Sequence, residues 1–303
     1  MIPPRPMKSL LPLIASAALA TAAPQTIALW PEGVPGLKPD ATPEKIVDGR
    51  TTNIHHPALL VFPAEKPNGS AIVLCSGGGY VRISVNPKGD SSTRLLHRLG
   101  VTVFVLKYRL SDYGHPAPLQ DVLRAVRTVR SRVAEFGVDP ARIGVMGTSA
   151  GGHLSACAAT LWDHAAGKTG AALDAVSARP DFAVLVYPVI TMEQAFAHAG
   201  SRDALLGKSP APGTAALLSV ENQVRKDTPP VFIAATMADT VVPVENSLAF
   251  YQALVKAGVP SELHVYPRGD HGNSLDPRHG PTATWPARLE DWLRFQGLLD
   301  PPE

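Results

Sequence analysis

The stretch Arg142-Ile143-Gly144-Val145-Met146-Gly147-Thr148-Ser149-Ala150-Gly151-Gly152-His153-Leu154 decides the fold. Its first residues form an apolar run rich in branched side chains, which predicts a buried strand, and Ala150–His164 predicts a helix. Between them lies a G-x-S-x-G pattern, whose small residues permit a turn tight enough to expose the serine hydroxyl. The strand–turn–helix context therefore predicts Ser149 as a nucleophile, against the alternative of an ordinary turn serine.

Two polar residues after later apolar runs complete a candidate catalytic triad. A serine hydroxyl needs a base to take its proton, and that base needs a carboxylate to orient it. Asp239 follows the run Val231–Thr236, and His271 follows Leu263–Tyr266, in the chain order serine, acid, histidine. Because successive parallel strands end at one edge of a sheet, we expect His271 as base and Asp239 as orienting acid.

Other candidates for these two roles are weaker. Asp270 adjoins His271 but would have to fold back on its neighbour, so it is the alternative acid. His153 lies one helical turn beyond Ser149 and is interpreted as a packing or hydrogen-bonding residue of the helix. Five other histidines lie inside a strand, in a loop or before the serine: His264, His279, His55, His56 and His115.

A glycine triplet supplies a candidate oxyanion hole. The run Ala71–Cys75 leads into Ser76-Gly77-Gly78-Gly79-Tyr80. Backbone N–H groups of such a loop, together with the residue after the nucleophile, can stabilise a tetrahedral oxyanion. The predicted donors are Gly78, Gly79 and Ala150. A flexible turn is the alternative, but beside a nucleophile turn the functional interpretation is favoured. The G-K-[ST] ending of a phosphate-binding loop is missing.

Alternation of short apolar runs with helical patterns indicates the architecture. Seven predicted strands are Leu59–Phe62, Ala71–Cys75, Val101–Lys107, Ile143–Gly147, Phe182–Tyr187, Val231–Thr236 and Leu263–Tyr266. The predicted helices are Thr93–Leu99, Leu119–Phe136, Ala150–His164, Val244–Ala257 and Trp285–Phe295. This order predicts a mostly parallel twisted sheet with helices on both faces, as one domain over 24–303. Thr191–Gln223 lacks a strong periodic pattern and is too short for a large lid domain, so we expect a substrate-side loop.

The first residues predict a signal peptide over 1–22, cleaved at about 20–23. Arg5 and Lys8 precede the apolar run Leu10–Ala20, which ends in small residues. That run is about half the length needed to span a bilayer. A secreted or periplasmic protein is therefore expected, with no membrane anchor. A buried N-terminal helix is the alternative.

Charge and cysteine content argue against several classes of partner. Basic and acidic residues number 28 and 26, and removing Arg5 and Lys8 leaves 26 of each. A chain near neutrality has no electrostatic reason to bind nucleic acid. Cys75 and Cys157 are too few for a disulfide framework and predict two buried free thiols, although a disulfide could form in an oxidising compartment. Metal-ligand spacing is missing, so no metal or cofactor is expected.

Longer motifs resemble a known family. Tyr108–Leu110, His115–Asp121 and Asp139–Leu154 are similar to bacterial acetylxylan-esterase-like α/β-hydrolases, as are Leu29–Gly36 and Val242–Ser247. The resemblance implies the α/β-hydrolase fold and removal of acetyl groups from carbohydrates such as xylan or xylo-oligosaccharides. It also implies the roles stated above for Ser149, Asp239, His271, Gly78, Gly79 and Ala150. Ser76, where relatives have His or Pro, and Asp270, where glycine is frequent, depart from the family pattern.

The substrate is less well defined by the sequence than the mechanism. Exposed aromatic rings often stack on sugars, and Trp30, Tyr80 and Tyr113 are candidates near predicted strand ends, with core aromatics as the alternative. A broad short-chain carboxylesterase acting on aryl or polyester substrates is the alternative enzyme. A carbohydrate-binding protein that has lost catalysis is the alternative from a different class.

Overall fold

A computed structural model describes residues 24–86, 88–272 and 277–300, and the predicted signal peptide at 1–22 lies outside them. Strands in the described residues are β1 (Gln25–Ala28), β2 (Lys45–Val47), β3 (Arg50–Thr52), β4 (Ala58–Phe62), β5 (Ala71–Cys75), β6 (Ile83–Ser84), β7 (Thr102–Lys107), β8 (Ile143–Thr148), β9 (Ala183–Val186), β10 (Val231–Thr236) and β11 (Ser261–Tyr266). Eight of them form a central sheet in the order β1-β4-β7-β5-β8-β9-β10-β11. The small sheet has the order β2-β3-β6.

The central sheet is mostly parallel. Strand β4 pairs antiparallel with both β1 and β7, whereas the pairs from β7 through β5, β8, β9 and β10 to β11 are parallel. Strand β11 lies at one edge, pairs with β10 and is only half-buried along its length. The carboxyl ends of all the parallel strands therefore lie along one and the same edge of the sheet, perpendicular to the edge formed by β11. The predicted site residues follow the strands there.

Helices cover both faces of the sheet. They are α1 (Ser91–Arg98), α2 (Ala117–Ser131), α3 (Val133–Phe136), α4 (Ala150–Thr160), α5 (Ala199–Leu206), α6 (Thr214–Leu218), α7 (Glu245–Ala257) and α8 (Trp285–Phe295). Side chains of β5 alternate between two hydrophobic cores: Ala71, Val73 and Cys75 join α2, α4 and α7, whereas Ile72 and Leu74 join α1 and α8. Apolar character on both sides of a strand is expected when both faces are covered.

The predicted secondary structure is confirmed for the seven strands, each to within two residues at either end. The predicted helix Leu119–Phe136 is instead split at Arg132, whose φ of −121° is not helical. The four short strands β1, β2, β3 and β6 were not predicted, because two to four residues carry too little pattern. The segment Thr191–Gln223 contains α5, α6 and a 3₁₀ turn. The single domain over 24–303 stays a prediction.

Candidate active site

Ser149 occupies a strained turn between β8 and α4. Its φ of 54° and ψ of −126° are rarely adopted by residues other than glycine. Two backbone hydrogen bonds hold this conformation: the Ser149 N–H donates to the Val186 carbonyl at 3.1 Å, and the Val189 N–H donates to the Ser149 carbonyl at 3.1 Å. The neighbouring strand β9 and the turn after it thus fix the peptide from which the serine hydroxyl projects.

Gly147 and Gly151 must be glycine because backbone atoms occupy the space of a side chain. A Cβ at Gly147 would lie 2.0 Å from the Gly151 carbonyl oxygen, and a Cβ at Gly151 would lie 2.1 Å from the Cys75 carbonyl oxygen. The second contact joins the serine turn to the end of β5, from which the glycine triplet leaves. The G-x-S-x-G spacing is therefore a packing requirement of this turn.

Ser149, His271 and Asp239 form one hydrogen-bonded chain. The Asp239 Oδ2 lies 2.7 Å from His271 Nδ1, and His271 Nε2 lies 2.8 Å from Ser149 Oγ. An ionised carboxylate only accepts hydrogen bonds, so Nδ1 carries the imidazole proton and Nε2 is free to accept from the serine hydroxyl. The structure brings together the three side chains that the sequence selects.

The Asp239 carboxyl is held in its charged form. Burial alone would raise its pKa, but the hydrogen bond from His271 and those from the backbone N–H groups of Val242 and Val241 outweigh burial. Both N–H groups donate to Asp239 Oδ1 at 2.9 Å. The pKa of Asp239 therefore lies below its ordinary value, and the carboxylate stays ionised opposite the imidazole.

The alternative residues take other positions. The Asp270 side chain is exposed, and His271 Nδ1 meets Asp239 instead. His153 is fully buried and hydrogen-bonded to Tyr80, which confirms its interpretation as a hydrogen-bonding residue of the helix. His264 Nε2 lies 2.6 Å from Glu262 on β11. The side chain of His279 lies outside the part that is described.

A cavity of about 630 Å³ opens beside Ser149 and His271. The glycine loop packs directly on the nucleophile turn, because a Cβ at Gly77 would lie 2.9 Å from the Ser149 Cβ. Gly78 and Gly79 line the cavity, and within residues 24–86, 88–272 and 277–300 their N–H groups have no protein acceptor. The Ala150 N–H belongs to the first turn of α4, where helical acceptors are missing.

The cavity wall has a polar side and a side near the imidazole. The polar side comes from the small sheet and its turns: Asp48, Arg50, Arg82 and Ser84. Near the imidazole lie Tyr187, whose ring centroid is 4.8 Å from that of His271, and His198. The sequence pattern did not single out Tyr187, although it ends the predicted strand Phe182–Tyr187 at the same edge as the triad residues. His198 comes from Thr191–Gln223, which agrees with the prediction that this segment lies on the substrate side.

The predicted sugar-stacking roles of Trp30 and Tyr80 are wrong. Trp30 is 5% exposed and its Nε1 donates to Asp121 at 2.8 Å, whereas Tyr80 is 1% exposed. A sugar cannot stack on a ring that the core covers. Tyr113 is half-buried, its hydroxyl lies 2.8 Å from His55 Nδ1, and it is not part of the cavity lining.

Cys75 and Cys157 are buried free thiols, which confirms that prediction. Burial raises the pKa of the Cys75 thiol to about 12. Across the described ranges, no group of three or more His, Cys, Asp or Glu side chains could hold a metal ion. In the same ranges no helix is long and apolar enough to cross a membrane.

Known proteins resemble this chain over most of its length. Residues 60–254 match the model of the BD-FAE family. The acetylxylan esterase of Xylanibacter ruminicola is 35% identical over 71% of this chain and 43% of its own length. Endo-1,4-beta-xylanase B of Butyrivibrio fibrisolvens is 37% identical over 66% of this chain and 32% of its own length. The chain thus spans less than half the length of these two curated relatives.

A solved structure extends the match. The acetyl ester-xyloside bifunctional hydrolase from Caldicellulosiruptor lactoaceticus superposes with a TM-score of 0.80 and 38% identity. The alignment covers 91% of this chain and 97% of that one. The expected α/β-hydrolase fold is confirmed by this likeness and by the sheet order.

Proposed function

The chain belongs to the BD-FAE family, and we propose that it is a serine ester hydrolase that removes acetyl groups from carbohydrates such as xylan or xylo-oligosaccharides. One observation carries the proposal: the chain of hydrogen bonds from Ser149 through His271 to Asp239 opens onto a cavity lined by the glycine loop. The similarity to an acetylxylan esterase and to an acetyl ester-xyloside hydrolase supports acetylated xylan as the substrate class.

Acylation begins with the serine hydroxyl. Its Oγ attacks the acetyl carbonyl carbon while its proton passes to His271 Nε2, 2.8 Å away. The carbonyl oxygen becomes an oxyanion, which the N–H groups of Gly78, Gly79 and Ala150 stabilise. Asp239 stabilises the imidazolium cation. The tetrahedral intermediate collapses, the proton moves from His271 to the departing sugar oxygen, and an acetyl group remains on Ser149.

Deacylation reverses these proton transfers with water as the nucleophile. His271 takes a proton from water, and the hydroxide oxygen attacks the acetyl carbonyl carbon. The same N–H groups stabilise the second oxyanion. Collapse breaks the bond to Ser149 Oγ, which regains its proton from His271, and acetic acid leaves and loses its proton to the solvent. The enzyme therefore ends each turnover with its initial proton distribution.

The polar side of the cavity supports a hydroxyl-rich leaving group. Hydrogen-bond donors and acceptors in the cavity that holds the nucleophile come from Arg50, Arg82, Asp48 and Ser84. Sugar hydroxyls can both donate and accept hydrogen bonds, so they match such a wall better than an acyl chain does.

Acetate release from acetylated xylan and from p-nitrophenyl acetate tests the proposal, with wild type and Ser149→Ala compared side by side. We expect wild type to act on both, and the variant to lose about three decades or more of activity. Cleavage of the simple ester alone would remove the carbohydrate assignment and leave the mechanism. If neither ester is cleaved, labelling with a fluorophosphonate separates an active serine from a carbohydrate-binding protein without catalysis.

A short-chain carboxylesterase is the second candidate, because the cavity of about 630 Å³ has room for acyl groups larger than acetyl. Rates on acetyl, butyryl and octanoyl nitrophenyl esters distinguish the two. A steep fall from acetyl to butyryl supports the acetylesterase, whereas equal rates on the octanoyl ester support the broader enzyme.

We also propose that the chain is exported to the periplasm or the medium. The basic residues Arg5 and Lys8 followed by the apolar run Leu10–Ala20 support this proposal. The intact mass of the protein expressed in a bacterial host with its leader is the test. Loss of about 20–23 N-terminal residues is expected, and retention of Met1 would contradict export.

A further inference from the structure

We propose that Tyr80 and His153 form a positioning pair that fixes the oxyanion loop, Ser76–Tyr80, against the nucleophile helix α4. The inference rests on the proposed esterase function. Tyr80 directly follows Gly79, and His153 lies one helical turn after Ser149. Their hydrogen bond therefore joins the segment that offers N–H donors to the segment that carries the nucleophile.

The hydrogen bond has one defined direction. His153 Nε2 lies 2.8 Å from the Leu218 carbonyl oxygen, which can only accept, so Nε2 carries the imidazole proton. Nδ1 is then an acceptor, and the Tyr80 hydroxyl donates to it at 2.7 Å. Burial lowers the pKa of His153 to about 4, so the ring stays neutral near pH 7 and keeps Nδ1 unprotonated.

The oxyanion loop is anchored on both sides of its donor residues. Upstream, the Tyr108 hydroxyl donates to the Ser76 carbonyl at 2.8 Å, and the Gly77 N–H donates to Thr148 Oγ1 at 3.2 Å. Downstream, Tyr80 supplies the side-chain anchor through His153. Gly78 and Gly79 lie between these attachments, so their N–H groups are held in place from both ends.

Tyr80 is held in a backbone conformation that favours glycine. Its φ is 61°, and its carbonyl accepts a hydrogen bond from the Ser111 N–H at 2.8 Å. Strained conformations of this kind persist only where the surroundings fix them. The buried ring, the Ser111 contact and the His153 bond together provide that constraint. Without its hydroxyl, Tyr80 loses the hydrogen bond to His153, which is the constraint that ties it to the nucleophile helix.

Positioning matters here because oxyanion donors act through distance. Loss of one such donor costs about 10²–10³ in kcat, and a misplacement of about 1 Å costs about 10²-fold. A partial displacement of Gly78 and Gly79 is expected to cost about tenfold on the same scale. The loss should fall on kcat, because the oxyanion is absent from the bound ester and forms only as the reaction passes through the transition state to the tetrahedral intermediate.

Tyr80→Phe tests this inference, because it keeps the ring and removes only the hydroxyl. Thr160→Val is the matched control, because it likewise removes one buried hydroxyl, in this case on α4. The Thr160 hydroxyl donates to the Ala156 carbonyl at 2.8 Å and does not reach the loop. For p-nitrophenyl acetate we expect Tyr80→Phe to lower kcat about tenfold with KM changed less than threefold. Thr160→Val should leave both within threefold of wild type.

Two probes of the oxyanion hole give the independent readout. A phenylboronic acid forms a tetrahedral adduct with the serine oxygen, and we expect Tyr80→Phe to weaken its inhibition about tenfold. A fluorophosphonate forms a bond from Ser149 Oγ to phosphorus, expels fluoride and passes the serine proton to His271. Its labelling rate should fall by a similar factor in Tyr80→Phe and stay unchanged in Thr160→Val.

The outcomes separate this inference from the proposed function. Tyr80→Phe with kcat, boronate inhibition and labelling all within threefold of wild type would overturn the positioning role. Equal losses in Tyr80→Phe and Thr160→Val would assign the effect to general stability and also overturn it. If wild type hydrolyses no ester but reacts with the fluorophosphonate, the proposed function fails, and the ratio of labelling rates still decides the role of Tyr80.

Discussion

Replacing Gly151 by alanine puts a methyl group where backbone atoms already lie. The added Cβ would be 2.1 Å from the Cys75 carbonyl oxygen and 2.7 Å from the carbonyl carbons of Cys75 and Ser76. Since real Cβ contacts essentially never fall under 3.0 Å, α4 and the end of β5 must separate by about 0.9 Å, the difference between 3.0 and 2.1 Å.

This separation acts on two parts of the site together. Ser149 lies at the start of α4, and the oxyanion loop begins at Ser76, so the movement separates the nucleophile from the loop donors Gly78 and Gly79. A misplacement of about 1 Å costs about 10²-fold in rate. Overpacking a close-packed contact costs about 1–3 kcal/mol of stability. Gly151→Ala should therefore fold and lose about a hundredfold in kcat.

The assay is kcat for p-nitrophenyl acetate beside the free energy of unfolding from urea titration. Gly137→Ala is the control, because Gly137 follows α3 with φ of 62° and its added Cβ would meet no atom within 4 Å. Its backbone strain costs about 1–2 kcal/mol away from the site, so stability should fall and kcat should not. A kcat of Gly151→Ala within threefold of wild type would refute the argument from the 2.1 Å contact.

Three further changes test the charges and buried groups. Asp239→Asn should lower kcat about ten-thousandfold, because an amide can hold the imidazole in the wrong tautomer; steady-state kinetics would contradict this if the loss were under tenfold. Asp121→Ala should reduce the free energy of unfolding by about 3–5 kcal/mol in urea titration, because the guanidinium of Arg109 stays buried without its carboxylate, 2.8 Å away. The pKa of His153 is about 4 in the folded protein, against 6.5 in the unfolded chain. The free energy of unfolding should therefore fall by about 1.4 kcal/mol per pH unit as the pH falls from 6.5 to about 4, and the full stability is present above pH 6.5. The slope should be shallower in His153→Gln, and an equal slope in both proteins would contradict this assignment.

The predicted triad could be found because a simple geometric rule governs it. Ser149, Asp239 and His271 each follow an apolar run, and parallel strands bring their carboxyl ends to one edge. The rule needs only the positions of the strands, which the apolar runs mark clearly. It reaches no further than that edge, and it selects three side chains that lie within hydrogen-bond distance without knowledge of packing.

The aromatic residues needed information that the local sequence does not hold. Trp30 donates to Asp121, 91 residues away, and both lie in a buried cluster with Arg109. Charged residues are rarely buried, so no local pattern identifies an arginine and an aspartate as core partners. Tyr80 is likewise paired with His153, 73 residues away. Tyr80 was a candidate because aromatic rings often stack on sugars, but its ring is buried and its hydroxyl donates to His153 on the nucleophile helix.

The small sheet escaped prediction for a different reason. Strands β2 and β3 have three residues each, β2 is exposed throughout, and β3 has one buried residue. Alternation between two faces cannot be recognised over so few positions. The polar side of the cavity comes from this sheet and its turns, so the residues proposed to face the leaving group are those least visible in the sequence.

The place of β11 at the edge of the sheet has a consequence for partial unfolding. This strand is bonded to β10 on one side and is half-exposed, so it belongs to the part of the molecule that opens at low energetic cost. His271 lies in the turn that follows it, whereas Ser149 follows β8 in the middle of the sheet. Fraying of this edge would withdraw the imidazole while the nucleophile and its glycine loop stayed in place. Catalytic activity should then be lost at denaturant concentrations that leave the circular dichroism signal unchanged, so the enzyme would be inactivated before it unfolds.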